Sequence, residues 1–448
     1  MKNESLLIPI FMGMSYRNII TSGVIDEVED NYDVTYITFK DSQIDYILRN
    51  KNKKVVSFKI GIFQKILRKI FLPLEKLQLY SFYQKHKTKT LDKYIKRDRQ
   101  LFLFFLYFNL SKILGKFYGK YDFFSSHYPL FLPRKIRSLI ALSNYILVLS
   151  SDDPIDKAIL KTAYNKSTYS TLLIHSWDNL PARGFFSASP NRVLVWNEVM
   201  KQQAVELHGI SSDSISIIGV PQFFGYKKFA DMVDRKFFYE TYGLEKGYKV
   251  ITYTCSASRV FPDEPLFIEY LIDIMRNEDV YIIIRLHPTE RISQYISFFS
   301  GIEKVIIDEP SGNFAAKVND KISDSKEDIY KFISLMKYSD VVINLASTIS
   351  LDAIIFDSPV ICIAFNIDSS ISKSSWNNAK EWYKSTHYDF IVKSGAISIV
   401  TDKKQLYECI SRHIENPDFG HKQRCDLSRF FCNYDFNVKH KLVNSLHD

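Results

Sequence analysis

Short apolar runs recur along the chain, and segments with helical spacing separate them. Runs at 6–11 and 32–39 flank a helical segment at 15–29, which predicts a strand–helix–strand opening. Apolar runs that alternate with helical segments are typical of a doubly wound parallel sheet. Further buried-strand runs in the first half of the chain lie at 145–150, 171–176, 192–196 and 214–218.

A second series of runs follows a charged helical segment at 226–245, which we interpret as a linker. We expect an α/β protein of two Rossmann-like domains with doubly wound parallel sheets that face a central cleft, the usual ligand site of such folds. The expected domains are 1–225 and 226–420, with a C-terminal helical tail at 421–448. The strands of the second domain are predicted at 249–253, 280–284, 303–307, 340–344 and 360–364.

Basic residues are concentrated in one block of the first half. The chain has a net charge of +9, and residues 51–120 hold 18 Lys and Arg against three acidic residues. Between 46 and 120 the spacing is helical, with aromatic residues on one side and basic residues on the other. Such helices bind anionic membrane surfaces or pack on their own domain with a solvated basic face, and both interpretations stay open. No nucleic-acid-binding module accompanies the charge, so we expect no nucleic acid as a partner.

The chain shows no pattern for export or for a membrane span. Its beginning, MKNESLLIPIFMGMSYRN, lacks the features of a secretory leader. The apolar run at 101–110 is shorter than the roughly 20 residues that cross a bilayer. The five cysteines are scattered without a CxxC pair, which is typical of a reducing compartment. We expect a cytoplasmic protein that attaches peripherally to the inner face of the cytoplasmic membrane.

Polar side chains follow three predicted strands of the second domain. Carboxyl ends of parallel strands meet at one edge of a sheet, where a hydroxyl-rich turn that opens a helix forms an anion site. Arginine and histidine add hydrogen-bond donors that suit phosphate. We therefore predict a nucleotide phosphate site here, although Ser347 and Thr348 are also ordinary helix caps and His287 an ordinary turn residue. The candidate residues are Ser256, Ser258, Arg285, His287, Pro288, Ser347 and Thr348.

Two of these segments carry a family resemblance. RLHP (285–288) and NLASTISLDAIIFDSPVI (344–361) resemble the donor-binding half of GT-B-fold bacterial surface-polysaccharide glycosyltransferases. The group is related to CDP-glycerol glycerophosphotransferases and bacterial Kdo- and sialyltransferases, in which a His-Pro and a Ser-Ser or Ser-Thr pair contact the donor phosphate. THYDFIVKSGAISIV (386–400) is similar as well, and the resemblance covers about 170–415. It implies a GT-B fold, a nucleotide-sugar co-substrate, no further cofactor and no metal.

The segment TLLIHSWDNLPARG (171–184) supplies candidates for the acceptor side. Deprotonating an acceptor hydroxyl needs a base, and Asp178 is the first candidate, with His175 as the second. Asp178 is also a natural turn residue, and Trp177 is either a sugar-stacking ring or a core residue. Asp152 and Asp153 are a further carboxylate pair, interpreted mainly as cap residues. The other candidate acceptor contacts are Asn179 and Arg183.

Together these features predict a metal-independent glycosyltransferase. It would move a sugar from a nucleotide donor to a hydroxyl of a glycan, lipid-linked and destined for a bacterial capsule or lipopolysaccharide, with residues 51–120 on the anionic membrane. One alternative is a CDP-glycerol- or CDP-ribitol-type alditol-phosphate transferase. Another is a nucleotide-sugar epimerase, which needs more carboxylates and a glycine-rich phosphate turn where this chain has LASTIS. A non-catalytic membrane-binding scaffold would leave the polar strand ends unexplained.

Overall fold

The chain forms two compact units in a computed structural model. The structure describes residues 4–99, 103–114, 125–288, 290, 292–310, 325–371, 376–432 and 437–447. The first unit comprises Met1–Phe224 and Asp435–Asp448, and the second comprises Gly225–Tyr434. The C-terminal end of the chain therefore belongs to the first unit.

The first unit is built on a seven-stranded parallel sheet in the order β3-β2-β1-β4-β5-β6-β7. The chain reverses its direction of growth at β1, since β2 pairs with one side of this strand and β4 with the other. Such a reversal point is where open α/β sheets usually place their ligand sites. The strands are β1 Ser5–Pro9, β2 Asp33–Phe39, β3 Val55–Phe58, β4 Tyr145–Val148, β5 Tyr169–Leu173, β6 Arg192–Val195 and β7 Ile215–Ile217.

Helices connect these strands and cover the sheet. The central strands are apolar and fully buried, as in Leu147 of β4 and Leu172 of β5, because helices cover the faces of a parallel sheet. The helices are Gly13–Tyr16, Asp26–Asn31, Gln43–Asn50, Ile62–His86, Lys89–Asp98, Phe104–Leu114, Arg134–Ala141, Pro154–Lys166, Asn179–Ala182, Glu198–His208 and Val438–Asn444, with a π-helical turn at Arg17–Thr21 and 3-10 turns at Tyr128–Phe131 and Ser212–Ser214. A further helix, Pro221–Ala230, begins in the first unit and continues into the second.

The second unit is built on a six-stranded parallel sheet in the order β10-β9-β8-β11-β12-β13. Its chain reverses at β8, which pairs with β9 on one side and β11 on the other. The strands are β8 Lys249–Thr254, β9 Val280–Arg285, β10 Val305–Asp308, β11 Val341–Asn344, β12 Val360–Ile363 and β13 Ser398–Val400. The helices are Arg235–Tyr242, Glu264–Met275, Ile292–Phe299, Lys326–Tyr338, Ile349–Ile354, Ala379–Trp382, Asp389–Ser394, Lys403–Glu415 and His421–Cys432.

The predicted pair of Rossmann-like parallel-sheet domains is confirmed, but several local predictions were wrong. The block 46–120 is not helical throughout, because Val55–Phe58 pairs with β2 as an edge strand. The segment 15–29 is not one helix. The segment 226–245 is helical as predicted, because it contains the end of helix Pro221–Ala230 and the helix Arg235–Tyr242. Residues 100–102 and 115–120 of the basic block lie outside the described residues. No helix in the described ranges is long and apolar enough to cross a membrane.

Candidate functional site

The turn after β11 carries the predicted hydroxyl pair. The side-chain oxygen of Asn344 accepts from the backbone N–H of Ser347 over 3.2 Å and from the Ser350 hydroxyl over 3.1 Å. Ala346 adopts a φ of +36°, and its N–H donates to the Tyr383 hydroxyl over 3.2 Å. Hydrogen bonds to Asn344 and Tyr383 therefore hold the backbone of this turn in place.

Ser347 and Thr348 are half-buried in this turn. The Ser347 hydroxyl accepts from the Ile349 N–H over 3.3 Å, whereas the Thr348 side chain makes no capping hydrogen bond. The helix that follows, Ile349–Ile354, has only six residues, so its dipole is small. Anion binding at this turn therefore depends on its hydroxyl and N–H groups.

Arg285 ends β9, but its guanidinium points into the second unit. It donates to the Asp308 carboxylate over 2.5 Å, lies 3.7 Å from that of Asp328, and covers the ring of Phe332. Its side chain is only 8% exposed. Two carboxylates already compensate its charge, so the geometry gives Arg285 a structural contact between β9, β10 and the helix Lys326–Tyr338.

His287 and Pro288 form the turn that follows β9, and both are half-buried. The carbonyl of His287 accepts from the N–H of Glu290 over 2.9 Å. The Glu290 carboxylate in turn accepts from the N–H of Ser258 over 2.9 Å. The turns after β8 and β9 are thereby linked, which brings the predicted residues Ser258 and His287 into one corner of the sheet edge.

A buried carboxylate organises the loop after β8. Glu264 accepts from the Ser256 N–H over 2.7 Å and from the hydroxyls of Tyr253 and Tyr295 over 3.0 Å each. Burial raises the pKa of Glu264 to about 8, even though these three donors act in the opposite direction. The N–H groups of Ser256 and Ser258 are thus used internally, which leaves the side chains of these residues for a ligand.

In the first unit, Asp152 is the centre of a polar cluster at the carboxyl ends of β4 and β5. The Asn179 amide donates to both of its oxygens, over 3.1 and 2.8 Å. The Nε of Arg183 lies 3.3 Å from one of these oxygens, and the Nε2 of His175 lies 3.8 Å from the same oxygen. An oriented carboxylate beside an imidazole is suited to proton transfer.

Asp178 lies at the edge of the same cluster. The Ser176 hydroxyl donates to one of its oxygens over 2.5 Å, and a terminal nitrogen of Arg183 lies 3.7 Å from the other. Arg183 therefore spans the carboxylates of Asp152 and Asp178. Burial disfavours its charged form, but these two carboxylates outweigh burial and raise the pKa of Arg183.

The remaining residues of this segment are largely enclosed. His175 is 5% exposed, and its Nδ1 has no hydrogen-bond partner in the described part of the chain. Trp177 is buried to the same extent, as a core residue would be. The structure thus brings His175, Asp178, Asn179 and Arg183 together, and Asp152 joins them.

The two adjacent aspartates have different roles. Asp153 is the helix cap, because its carboxylate accepts from the Ile155 N–H over 2.8 Å, and it also lies 3.5 Å from Arg68. Asp152 is not the cap and instead faces the cluster. The interpretation of both residues as caps is therefore wrong for Asp152.

Sequence reasoning missed a second layer beneath the cluster. Asp156 is fully covered, and burial raises its pKa well above the usual range, with Asp153 and Asp152 adding to the effect. Burial also lowers the pKa of Lys157 and raises that of Glu75, which attract each other. The signal available in the sequence was the spacing of four residues between Asp152, which precedes helix Pro154–Lys166, and Asp156 in the first turn of that helix.

One group of side chains in the described ranges has the composition of a metal site. The ligand atoms of Asp357, His421 and Cys425 all lie within 4.8 Å of one another. Arg424 donates to Asp357 over 2.7 Å, so a cation there would compete with a guanidinium. His421 and Cys425 lie one turn apart in helix His421–Cys432 of the second unit, and the group includes none of the predicted site residues.

Comparisons with known proteins add the fold relationship. No protein-family model matches the chain, and no curated protein matches it by sequence. Among solved structures, it is similar to the UDP-GlcNAc 2-epimerase of Neisseria meningitidis bound to UDP-GlcNAc, with 14% identity, 99% of each chain covered and a TM-score of 0.57. It is similar to the UDP-GlcNAc 2-epimerase of Methanocaldococcus jannaschii, with 14% identity, 92% and 93% coverage and a TM-score of 0.52. It is also similar to Staphylococcus aureus MnaA, solved with UDP, with 12% identity, 98% and 95% coverage and a TM-score of 0.58.

These relationships correct the functional prediction. The predicted nucleotide-sugar-dependent glycosyltransferase of capsule or lipopolysaccharide biosynthesis is wrong, because the whole-chain likeness is to nucleotide-sugar epimerases, the alternative ranked lower. The resemblance to the surface-polysaccharide group therefore holds for the GT-B-like fold only. The prediction failed for a physical reason. Motifs such as RLHP and the Ser-Thr turn are expected wherever strand ends bind a phosphate, and phosphate binding does not determine which bond of the substrate reacts. At these identities the solved structures establish one thing about the chain, which is that it has the two-domain fold of the UDP-GlcNAc 2-epimerases.

Proposed function

We propose that this chain is a nucleotide-sugar epimerase that acts on a UDP-sugar of the UDP-GlcNAc type. An epimerase inverts one carbon centre, and we assign this inversion to removal of a proton from one face of the sugar ring and return of a proton to the other. This chemistry needs oriented acid and base groups in one enclosed place. Neither a glycan acceptor nor an alditol-phosphate donor is part of this proposal.

The observation that carries the proposal is the arrangement around Asp152. Its carboxylate is oriented by the Asn179 amide and by Arg183, and the imidazole of His175 lies 3.8 Å away. Asp178 adds a second carboxylate to the same cluster, and the Arg183 guanidinium lies within 3.7 Å of both carboxylates. The sequence argued against an epimerase because it offered few carboxylates in one segment. Folding brings together carboxylates from the ends of β4 and β5, which supports the proposal.

The turn after β11 supports the nucleotide part of the proposal. It lacks the glycines expected of an epimerase phosphate turn, but Ala346 adopts a positive φ of +36° that is favourable for glycine. The half-buried side chains of Ser347 and Thr348 follow directly. These hydroxyls, with the Thr348 N–H and with His287 in the turn after β9, are the groups we assign to the diphosphate, and the side chains of Ser256 and Ser258 complete this edge. Arg285 is not assigned to it.

Product analysis tests the proposal. The purified chain is incubated with UDP-GlcNAc, other UDP-hexosamines, UDP-hexoses and CDP-sugars, and the sugar is followed by proton NMR. We expect one UDP-sugar to reach an equilibrium mixture of two epimers, approached from either side. Free UDP and free sugar as the only products, or no turnover of any sugar by folded protein, would remove the proposal. A Leu142→Ala protein serves as a handling control, since this side chain of the first unit is 84% exposed.

A further inference from the structure

Helix Ile62–His86 changes character at Pro73. Proline has no N–H, so the carbonyl of Lys69 lacks its intrahelical partner there. After this position the helix is packed into the first unit, with Leu77, Tyr80 and Phe82 buried. Before it, the first three turns leave one broad face uncovered.

This uncovered face, residues 62–72, combines apolar and basic side chains in separate stripes. Phe63, Ile66 and Ile70 follow one another at helical spacing and are 65%, 51% and 60% exposed. Lys65 and Lys69 lie along one edge of this apolar stripe, and neither forms an ion pair within the described ranges. Residues 60–74 contain no acidic side chain. The other exposed apolar residues of the face are Ile62 and Leu72.

The opposite side of the same three turns is anchored to the first unit. The ring of Phe71 stacks on His127 with centroids 4.3 Å apart and lies 6.3 Å from Phe131. Arg68 reaches Asp153 over 3.5 Å. The face is therefore presented by a fixed helix, and its exposure does not result from a helix that lacks tertiary contacts.

Several other basic residues of the block are engaged within the first unit. Further along the block, Lys76 and Arg97 both pair with Asp98, over 2.7 and 3.3 Å, and Lys93 is buried. These charges are used within the fold. The helix Phe104–Leu114 packs on the buried part of helix Ile62–His86 at Tyr80, and it carries exposed Phe105, Leu106 and Ile113 with Lys112.

We propose that residues 62–72 form a docking face for an anionic lipid bilayer. Helix Ile62–His86 lies along the surface there, with Phe63, Ile66 and Ile70 in the acyl boundary and Lys65 and Lys69 at lipid phosphates. A helix with an apolar stripe beside lysines binds anionic interfaces in this way, and exposed apolar patches on soluble folds mark such contacts. Docking of a second copy would oppose lysine to lysine, which is unfavourable. This inference is independent of the proposed epimerase activity. Membrane binding is measured with vesicles, whereas the epimerase activity is measured with water-soluble sugars and no membrane.

Vesicle flotation of the full chain tests the inference. Vesicles of phosphatidylcholine are compared with vesicles that also contain phosphatidylglycerol, at low and high salt. We expect binding only to the anionic vesicles, and weaker binding at high salt. Phe63→Ser with Ile66→Ser should reduce the partition coefficient at least about tenfold, and each of Lys65→Gln and Lys69→Gln about fivefold.

A matched control comes from the second unit, where Phe298 and Ile296 are 67% and 45% exposed. Phe298→Ser with Ile296→Ser should leave vesicle binding unchanged, and both double variants should keep the wild-type unfolding transition. Equal losses in both variants, or no vesicle binding by the wild type at low salt, would overturn the inference. So would a dimer that dissociates on Phe63→Ser with Ile66→Ser, or binding of a nucleic acid that competes fully with the vesicles.

Discussion

The side-chain amide of Asn179 donates to both carboxylate oxygens of Asp152, over 3.1 and 2.8 Å. The amide is held in this orientation because its own oxygen accepts from the Ser176 N–H over 2.9 Å. Asp152 follows β4 and Asn179 follows β5, so this contact joins the ends of two neighbouring strands. It fixes the carboxylate on which the proposed chemistry depends.

Asp152→Asn should therefore abolish most of the epimerase activity while the fold is kept. The substitution preserves shape but removes the charge, and the loss of a general base typically reduces the rate by about 10²–10⁴-fold. Initial rates of epimer formation, measured by proton NMR, check this. Asp153→Asn is the matched control, because asparagine caps a helix as well as aspartate does. If the two variants are equally active, Asp152 is not the acid–base group.

Arg285→Leu should destabilise the second unit by about 3–5 kcal/mol, because it leaves Asp308 buried without its cation. Urea unfolding of the purified protein measures the change. Arg285→Leu with Asp308→Leu should recover most of the stability, since both charges are then gone. A stable Arg285→Leu protein that has lost only nucleotide binding would instead return Arg285 to the phosphate site.

Glu264 should make the stability of the second unit depend on pH. Burial raises its pKa from 4.5 to about 8 in the folded state. Its contribution is fully present below the unfolded pKa and is lost as the pH rises towards 8, with a limiting slope of about 1.4 kcal/mol per pH unit. Urea unfolding between pH 5 and pH 8 should show this slope in the wild type and lack it in Glu264→Gln. Parallel slopes in the two proteins would show that Glu264 is ionised throughout.

Ala346→Gly should stabilise the protein by up to about 1 kcal/mol. The left-handed φ of Ala346 costs an L-residue about 1–2 kcal/mol, and the extra freedom of glycine in the unfolded chain offsets part of the gain. Thermal unfolding checks the direction. Ala353→Gly, in the helix that follows, should act in the opposite sense and destabilise by about 1 kcal/mol. A destabilising Ala346→Gly would mean that the turn is not strained.

The sequence predicted the sheets well because their strands are continuous apolar runs, as in Ile282, Ile283 and Ile284 of β9. Edge strands were harder. Val55–Phe58 lies in a basic helical context, and only its pairing with β2 makes it a strand. Local spacing carries no information about such a partner.

The candidate site shows the same limit. His175, Asp178, Asn179 and Arg183 could be predicted together because they follow one strand in one segment, whereas Asp152 comes from a different strand end and joins them through Asn179. The partners of Arg285 could not be predicted for a related reason. It stands at a strand end like a ligand residue, and its partners Asp308 and Asp328 are distant in the sequence.

The most direct test of the central claim is a proton NMR time course of the wild-type chain with UDP-GlcNAc and related UDP-sugars in D2O. Proton removal and return at one carbon predicts that the epimer appears with deuterium at the inverted centre, and that Asp152→Asn slows deuterium uptake and epimer formation together. UDP-sugars that stay fully protonated and unchanged in the presence of folded wild-type protein would contradict the account.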